Sequence, residues 1–172
     1  NEFAFDLTYA KRFGAEFSLA TTGRFIYSNL NAGQFSAGQQ TTAGKAFAVD
    51  VSAFYTKQTV LFNKDAIVSA GANLSNIGTK IGYVEGAVKQ FLPTNMKIGA
   101  ASTFIIDDYS QFTFALDFNK LMVPTQPIRD GNGEIIAGKD PDRSITSGVL
   151  GSFSDAPGGF SEEIKEVSIA TG

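Results

Sequence analysis

The sequence predicts an all-β protein, an antiparallel outer-membrane β-barrel, and three observations lead to this class. Apolar and polar residues alternate with a period of two through six segments of roughly ten to thirteen residues, where strands of soluble sheets usually have five or six. The connections between these segments are alternately short and long. The chain of 172 residues contains 16 Phe and 18 Gly, yet only 18% of it is charged, whereas soluble domains average about 25%.

The chain begins with two strands joined by a short turn. The first is predicted over 2–12, because large apolar side chains recur there at every second position. Phe13-Gly14 is a turn signal, and the alternation resumes over 16–28. Residues 29–45 are rich in Gly, Gln, Thr and Ala without any period, so they are predicted to form a long polar loop.

Two more hairpins are predicted after this loop. The third strand is expected over 46–57 and the fourth, which is the weakest, over 66–75. Asn63-Lys64-Asp65 is the turn candidate between them. A second long loop, 76–93, then precedes the fifth and sixth strands, which are predicted over 95–106 and 111–120 with a tight turn between them.

The third long loop, 121–165, differs in character from the strands because it contains four prolines. Within it, Ile145, Val149 and Phe153 recur at helical spacing and predict a short amphipathic helix, and a further helical turn is possible over 160–166. A seventh strand begins at 166–172. Seven strands are fewer than the eight of the smallest membrane barrels, so we expect the sequence to be one partial barrel domain from a longer chain.

The two faces of the predicted strands differ sharply. The Phe, Val and Leu face carries no charge in the strand interiors, as lipid requires, and aromatic residues lie near its ends. A soluble sandwich or lipid-binding barrel has the same alternation, but its solvent face normally holds more Lys and Glu. The opposite face is mostly small and polar, and we expect its sparse charges to face the barrel lumen: Asp6, Arg24, Asp50, Lys97 and Asp117.

Composition excludes several kinds of site. Without Cys or His, the chain has no disulfide, no ordinary zinc or haem site and no histidine-based catalysis. A pI near 4.9 with 14 scattered Lys and Arg argues against nucleic-acid binding. The run GQQTTAGK (38–45) fails as a phosphate-binding loop, and the acids between 130 and 142 lack the order of a calcium loop. We therefore expect no metal, no cofactor and no enzymatic activity.

Six runs in the sequence carry a family resemblance: NEFAFDLTYAKRFG (1–14), GRFIYSNL (23–30), NLSNIGTKIGY (73–83), FLPTNMKIGA (91–100), FALDFNKLMVPT (114–125) and, above all, GVLGSFSDAPGGFSEEIKE (148–166). These runs resemble the PorV family (also called LptO), the outer-membrane barrels of the Bacteroidetes type IX secretion system, which are similar in fold to the long-chain fatty acid transporters. The resemblance implies a barrel of 14 strands in the full protein. It also implies partners: the large SprA/Sov translocon barrel, secreted cargo with a C-terminal signal domain, the surface attachment complex, and outer-membrane lipid and lipopolysaccharide.

Two functions remain open at this point. In the first, the barrel is an adaptor and its loops are the working surface; in the second, it is a channel for hydrophobic solutes with an apolar lumen around Ile26, Phe54, Ile67 and Ile105. The helical stripe in the third loop either caps the barrel or docks a partner. For the adaptor, the residues expected to contact partners or cargo are Val149, Phe153, Asp155, Pro157, Phe160 and Phe35.

Overall fold

The computed structural model describes residues 1–29, 35–36, 39–84 and 86–172, with the backbone alone for 35–36 and 39–40. Long strands dominate it, and two short helices lie in the last long connection. The elements, in chain order, are β1 Glu2–Phe13, β2 Phe17–Ser28, β3 Phe35–Ser36, β4 Gln39–Gln40, β5 Gly44–Leu61, β6 Lys64–Gly78, β7 Asn95–Ile105, β8 Gln111–Leu121, β9 Ile128–Arg129, β10 Ile135–Ala137, α1 Ile145–Gly151, α2 Phe160–Lys165 and β11 Val167–Thr171.

Seven strands form one antiparallel sheet in the order β1-β2-β5-β6-β7-β8-β11. Each strand pairs with the next long strand along the chain, so the sheet is a simple meander, and it does not close between β1 and β11. The predicted all-β antiparallel class with short helices in a long loop is confirmed. Because short and long connections alternate, the described residues of the three long connections, which lie within 29–43, 79–94 and 122–166, are at one end of the sheet.

The β5–β6 hairpin is longer than the sequence predicted. β5 has 18 residues and β6 has 15, and only Phe62 and Asn63 separate them. Both turn residues have positive φ, 50° and 58°, as in the type I′ turns that match the right-handed twist of a tight hairpin. The turn therefore begins one residue before the predicted Asn63-Lys64-Asp65. The weak apolar pattern of β6 is overridden by pairing with strands on both sides.

The register places most of the large apolar residues of the seven strands on one face, here named the apolar face. Phe5 lies opposite Phe25, which lies opposite Phe47 on the next strand, and the Phe25 and Phe47 ring centroids are 5.0 Å apart. These side chains are open to the surroundings: Phe5 is 66% exposed and Leu7 is 71% exposed. A continuous sheet face of exposed large apolar side chains is unfavourable in water and favourable in lipid.

The other face, here named the polar face, carries most of the small and polar residues and the Arg24 and Lys97 ion pairs. At the long-loop end, the second long connection folds onto it and buries a small apolar cluster of Ala46, Ala48 and Leu92, with Ile26 and Ile81 packed against it. Most of the contacts that define the fold are thus ladder contacts between neighbouring strands, not a central core. Within the described ranges, no helix is long and apolar enough to cross a membrane.

Candidate functional site: the polar-face ladder and the long-loop end

A charged ladder crosses four strands on the polar face. Arg24 donates from Nε to Asp6 Oδ1 at 2.9 Å and from Nη2 to Asp6 Oδ2 at 3.0 Å. The same Nη2 lies 3.2 Å from Asp50 Oδ2 on the next strand. Arg24 Nη1 also donates to the side-chain oxygen of Asn76. One guanidinium thus uses its planar fork to join β1, β2, β5 and β6.

Asn76 connects this ladder to the base of the second long connection. Its backbone N–H donates to Asp50 Oδ1 at 2.7 Å, and its side chain donates to the Pro93 carbonyl at 3.2 Å. Its own carbonyl accepts from Thr94 Oγ1 at 2.8 Å. Asn76 has a φ of 58°, a left-handed conformation that Asn adopts more readily than other residues with a Cβ. The ladder therefore holds the start of β7 against the end of β6.

The five charges predicted to face the lumen all lie on the polar face but form two groups. Asp6, Arg24 and Asp50 belong to the ladder, while Lys97 and Asp117 form a separate pair across β7 and β8 with Nζ 3.4 Å from Oδ2. Each cation has an acidic partner, so these groups serve as cross-strand pairs. Among the described residues, no group of three or more His, Cys, Asp or Glu could hold a metal ion.

The third long connection folds into a compact segment at the long-loop end. It contains the small β9–β10 hairpin and both helices. Ser144 caps α1 by accepting from the Ser147 N–H at 3.3 Å. A Cβ on Gly148 would come within 2.6 Å of the Phe91 ring and 3.2 Å of Pro124, so glycine lets α1 lie directly against both residues. We refer to residues 144–166 as the helical segment.

A buried ionic cluster joins the helical segment to the end of β8. Lys120 Nζ donates to Glu163 at 3.1 Å and to Glu166 at 2.6 Å, and Thr125 donates to the other oxygen of Glu166 at 2.8 Å. The side chains of Lys120 and Glu163 are only 5% and 7% exposed. We call Lys120, Thr125, Glu163 and Glu166 the Lys120 cluster. Because the charges of the cluster are paired and hydrogen-bonded, these interactions offset the desolvation cost of burying them.

Glu163 also organises the turn between the two helices. Its Oε1 accepts from the backbone N–H groups of Asp155 at 2.7 Å and Ala156 at 2.8 Å. Burial alone would raise the pKa of Glu163, but the hydrogen bonds from Ala156, Lys120 and Asp155 outweigh it and hold the pKa below its ordinary value. Asp155 is buried in turn and accepts from the Arg143 guanidinium.

The residues predicted to contact partners occupy different environments. Val149 and Asp155 are buried and hold the helical segment together, and Pro157 is half-buried. Phe153 and Phe160 are 48% and 79% exposed. The backbone of Phe35 lies in β3, and its side chain is outside the described residues, as are positions 30–34 and 37–38 of the predicted loop surface.

Lys120, Glu163 and two exposed apolar side chains were not among the site residues predicted from the sequence. Lys120 follows Phe112, Phe114, Leu116 and Phe118 on the same side of β8, and a lysine that continues an apolar alternation signals a buried partner. Glu163 gave no such signal, since its partners come from distant positions. Leu150 and Ile136, 67% and 65% exposed, follow no period that distinguishes them from core residues.

These features define a class, that of outer-membrane β-barrel proteins, here seen as seven strands with an apolar face, a polar face and all long connections at one end. A family model described as type IX secretion system protein PorV matches residues 1–128. The chain belongs to the PorV family and is a component of the type IX secretion system, and members of this family are outer-membrane components.

The extent of the match is informative. It covers β1 to β8 and ends before the helical segment. The run 148–166, which resembled the family most strongly in the sequence, therefore lies beyond the matched residues. No curated protein matches the chain at a significant level.

Proposed function

We propose that this protein is a non-enzymatic adaptor barrel of the type IX secretion system. Its sheet is part of a single closed barrel of fourteen strands, with the apolar face toward lipid and the polar face toward the lumen. It associates with the large SprA/Sov translocon barrel and passes cargo with a C-terminal signal domain to the surface attachment complex. Family membership supports the secretion role, and the structured long-loop end supports the adaptor role.

The observation that carries this proposal is the set of exposed apolar side chains on an ordered third connection. Ile136, Leu150 and Phe160 are each at least 65% exposed, although the segment around them is fixed by buried ion pairs. Exposed apolar side chains on a rigid support are typical of interaction surfaces. An adaptor needs such a surface at the cell-surface end of the barrel, where the long loops of outer-membrane barrels lie.

The test uses the full-length protein in its native membrane. Changing both Ile136→Asp and Leu150→Asp should reduce co-purification of the translocon by about tenfold or more, since losing two apolar anchors at an interface costs at least about 1.4 kcal/mol. Tyr109→Asp is the matched control, because this side chain is 99% exposed in the short turn at the opposite end. Unchanged translocon recovery in the double variant, with normal barrel assembly, would refute the adaptor surface.

A second candidate function is transport of a hydrophobic solute, supported by a groove on the polar face. The groove encloses about 390 Å³ above Gly71, Gly99 and Ala101, with Phe54 at its side. Phe54 is half-exposed there, so its ring is available to contact an apolar solute. The Lys97–Asp117 pair also lines this groove. Loss of hydrophobic solute uptake in Phe54→Asp, with translocon recovery intact, would favour the transporter over the adaptor.

A further inference from the structure

A second groove lies on the apolar face, beneath the helical segment. Its floor consists of strand residues from the end of the sheet nearest the long connections, and its roof consists of side chains from the segment itself. Its volume is about 180 Å³. The floor residues are Met96, Ile98 and Phe118, and the roof residues are Phe153, Phe160 and Ile164.

The register shows that this floor belongs to the membrane-facing side of the sheet. Ile98 lies opposite Phe118 on β8, and Phe118 lies opposite Ile169 on β11. Ile98 and Phe118 are 47% and 42% exposed. The floor is therefore continuous with the exposed apolar side chains that run across the sheet to β1. The helical segment covers this part of the sheet, and the groove lies between the two.

The charged side chains at the edge of the groove are already paired with each other. Lys120 and Glu163 are the charged residues that line it, and their Nζ and Oε2 atoms are 3.1 Å apart. Lys120 is bound a second time by Glu166. Neither charged group is left to pair with a ligand, so the site is suited to an uncharged, apolar occupant.

We propose that this groove holds one acyl chain of an outer-leaflet lipid. A dry cavity of about 150 Å³ is large enough to bind benzene, so 180 Å³ accommodates a stretch of hydrocarbon of that size. The long loops of outer-membrane barrels face the cell exterior, which places this rim at the outer leaflet. The proposal depends on the membrane location of the family and is independent of the adaptor role.

Continuity with the lipid-facing side distinguishes an acyl chain from an apolar side chain of a partner protein. The strand residues that form the floor extend without a step into the surface that lipid covers, so a chain enters along the sheet without crossing a polar barrier. The half-exposed Phe153 and Ile164 then cover it from the other side. A partner's side chain would have to displace that lipid first.

The experiment uses photo-crosslinking of the full-length protein in phosphatidylcholine vesicles that contain a phospholipid with a diazirine in the middle of one acyl chain. Crosslinked positions are mapped by mass spectrometry. Ile98→Trp fills the groove from its floor, and Leu7→Trp is the matched control, because Leu7 is 71% exposed on the same face but lies on β1. Heat-modifiable migration in gels verifies that each variant forms a barrel.

We expect crosslinks at Phe153 and Phe160 in the wild type and in Leu7→Trp. Each methylene that leaves an apolar site weakens binding about fourfold, so excluding two or more by Ile98→Trp should reduce these crosslinks by about tenfold or more. Ile164→Trp, which fills the groove from its roof, should give the same loss at Phe153 if Ile98→Trp does not assemble. Equal labelling of Phe153 and Phe160 in every variant would mean bulk lipid contact and would overturn the proposal. Labelling around Leu7 without any in the groove would overturn it too, since the groove would then hold something other than lipid.

Discussion

The Glu163→Gln substitution keeps the size and shape of the side chain but should weaken the contacts that hold the turn between the two helices. In the wild type, one carboxylate oxygen accepts from the Asp155 and Ala156 N–H groups at 2.7 and 2.8 Å, and the other accepts from Lys120 at 3.1 Å. If the side-chain oxygen of the glutamine keeps the two backbone N–H donors, the side-chain NH₂ group faces the Lys120 ammonium. Both groups are donors, so the hydrogen bond between residue 163 and Lys120 is lost. Lys120 retains Glu166 at 2.6 Å, so the ammonium is not left without a partner.

The size of the effect follows from these contacts. A hydrogen bond to a charged group contributes about 1.5–3 kcal/mol, and the two remaining backbone bonds are weakened when the acceptor loses its charge. Since the Glu163 side chain is 7% exposed, water does not compensate. We expect the opening free energy of the helical segment to fall by about 2–3 kcal/mol, which corresponds to roughly 30- to 150-fold faster amide exchange at Asp155 and Ala156.

Hydrogen exchange followed by mass spectrometry on the detergent-solubilised full-length protein measures this change. Glu162→Gln is the control, because Glu162 precedes Glu163 in α2 and its bond to the Gly158 N–H is exposed. That change should cost no more than about 0.5 kcal/mol. If Asp155 and Ala156 exchange equally fast in both variants, the buried cluster does not hold the segment and our reasoning is wrong.

Two further predictions concern pH and the polar-face ladder. Because the pKa of Glu163 is lowered from 4.5 in the folded segment, the Glu163 carboxylate binds a proton more tightly when the segment is open. The stabilisation from this carboxylate is therefore present above pH 4.5 and is lost as pH falls through the lowered pKa. Pepsin cleavage of the helical segment, normalised at each pH to cleavage of an unfolded substrate because the protease is itself pH-dependent, should therefore increase as pH falls from about 5 to about 2. The normalised cleavage of Glu163→Gln should change less over the same range. An equal change in both proteins would count against this. Asn76→Ala should lower the free energy of unfolding in urea by about 2–3 kcal/mol, through lost hydrogen bonds and the cost of a left-handed alanine. Asn76→Gly should lose about 1 kcal/mol less, because glycine adopts that φ freely. Identical urea midpoints for the two variants would show that the left-handed φ of residue 76 carries no such cost.

The alternation of apolar residues was sufficient to predict the faces of the sheet. Since strand side chains alternate strictly, Phe5, Phe25 and Phe47 had to share one side once each strand was recognised. The same rule placed Asp6, Arg24 and Asp50 together on the other side, although it could not show that a single guanidinium joins them. The pattern was less informative at strand ends, because pairing with neighbours extended β5 and β6 beyond their apolar alternation.

The long-loop end was the least predictable part of the molecule. Helical spacing identified α1 and α2, but it did not show which side chains would be buried. Asp155 is buried with its side chain bound to Arg143 and its N–H bound to Glu163, and no helical or strand period encodes those contacts. Only Lys120, a charge within an apolar alternation, marked in the sequence the place where the segment returns to the sheet.

Lys120 also shows where this barrel can carry a charge on its apolar face. It lies on the side of β8 that faces lipid, where a lysine costs about 2–4 kcal/mol at the bilayer midplane and little near the interface. Lys120 is the second-last residue of β8, at the long-loop end, so it lies where the cost is small. Its charge is also neutralised by Glu163 and Glu166 from the helical segment. The Lys120 cluster thus places a charged group at the interface end of the strand and leaves the lipid-facing interior of β8 apolar.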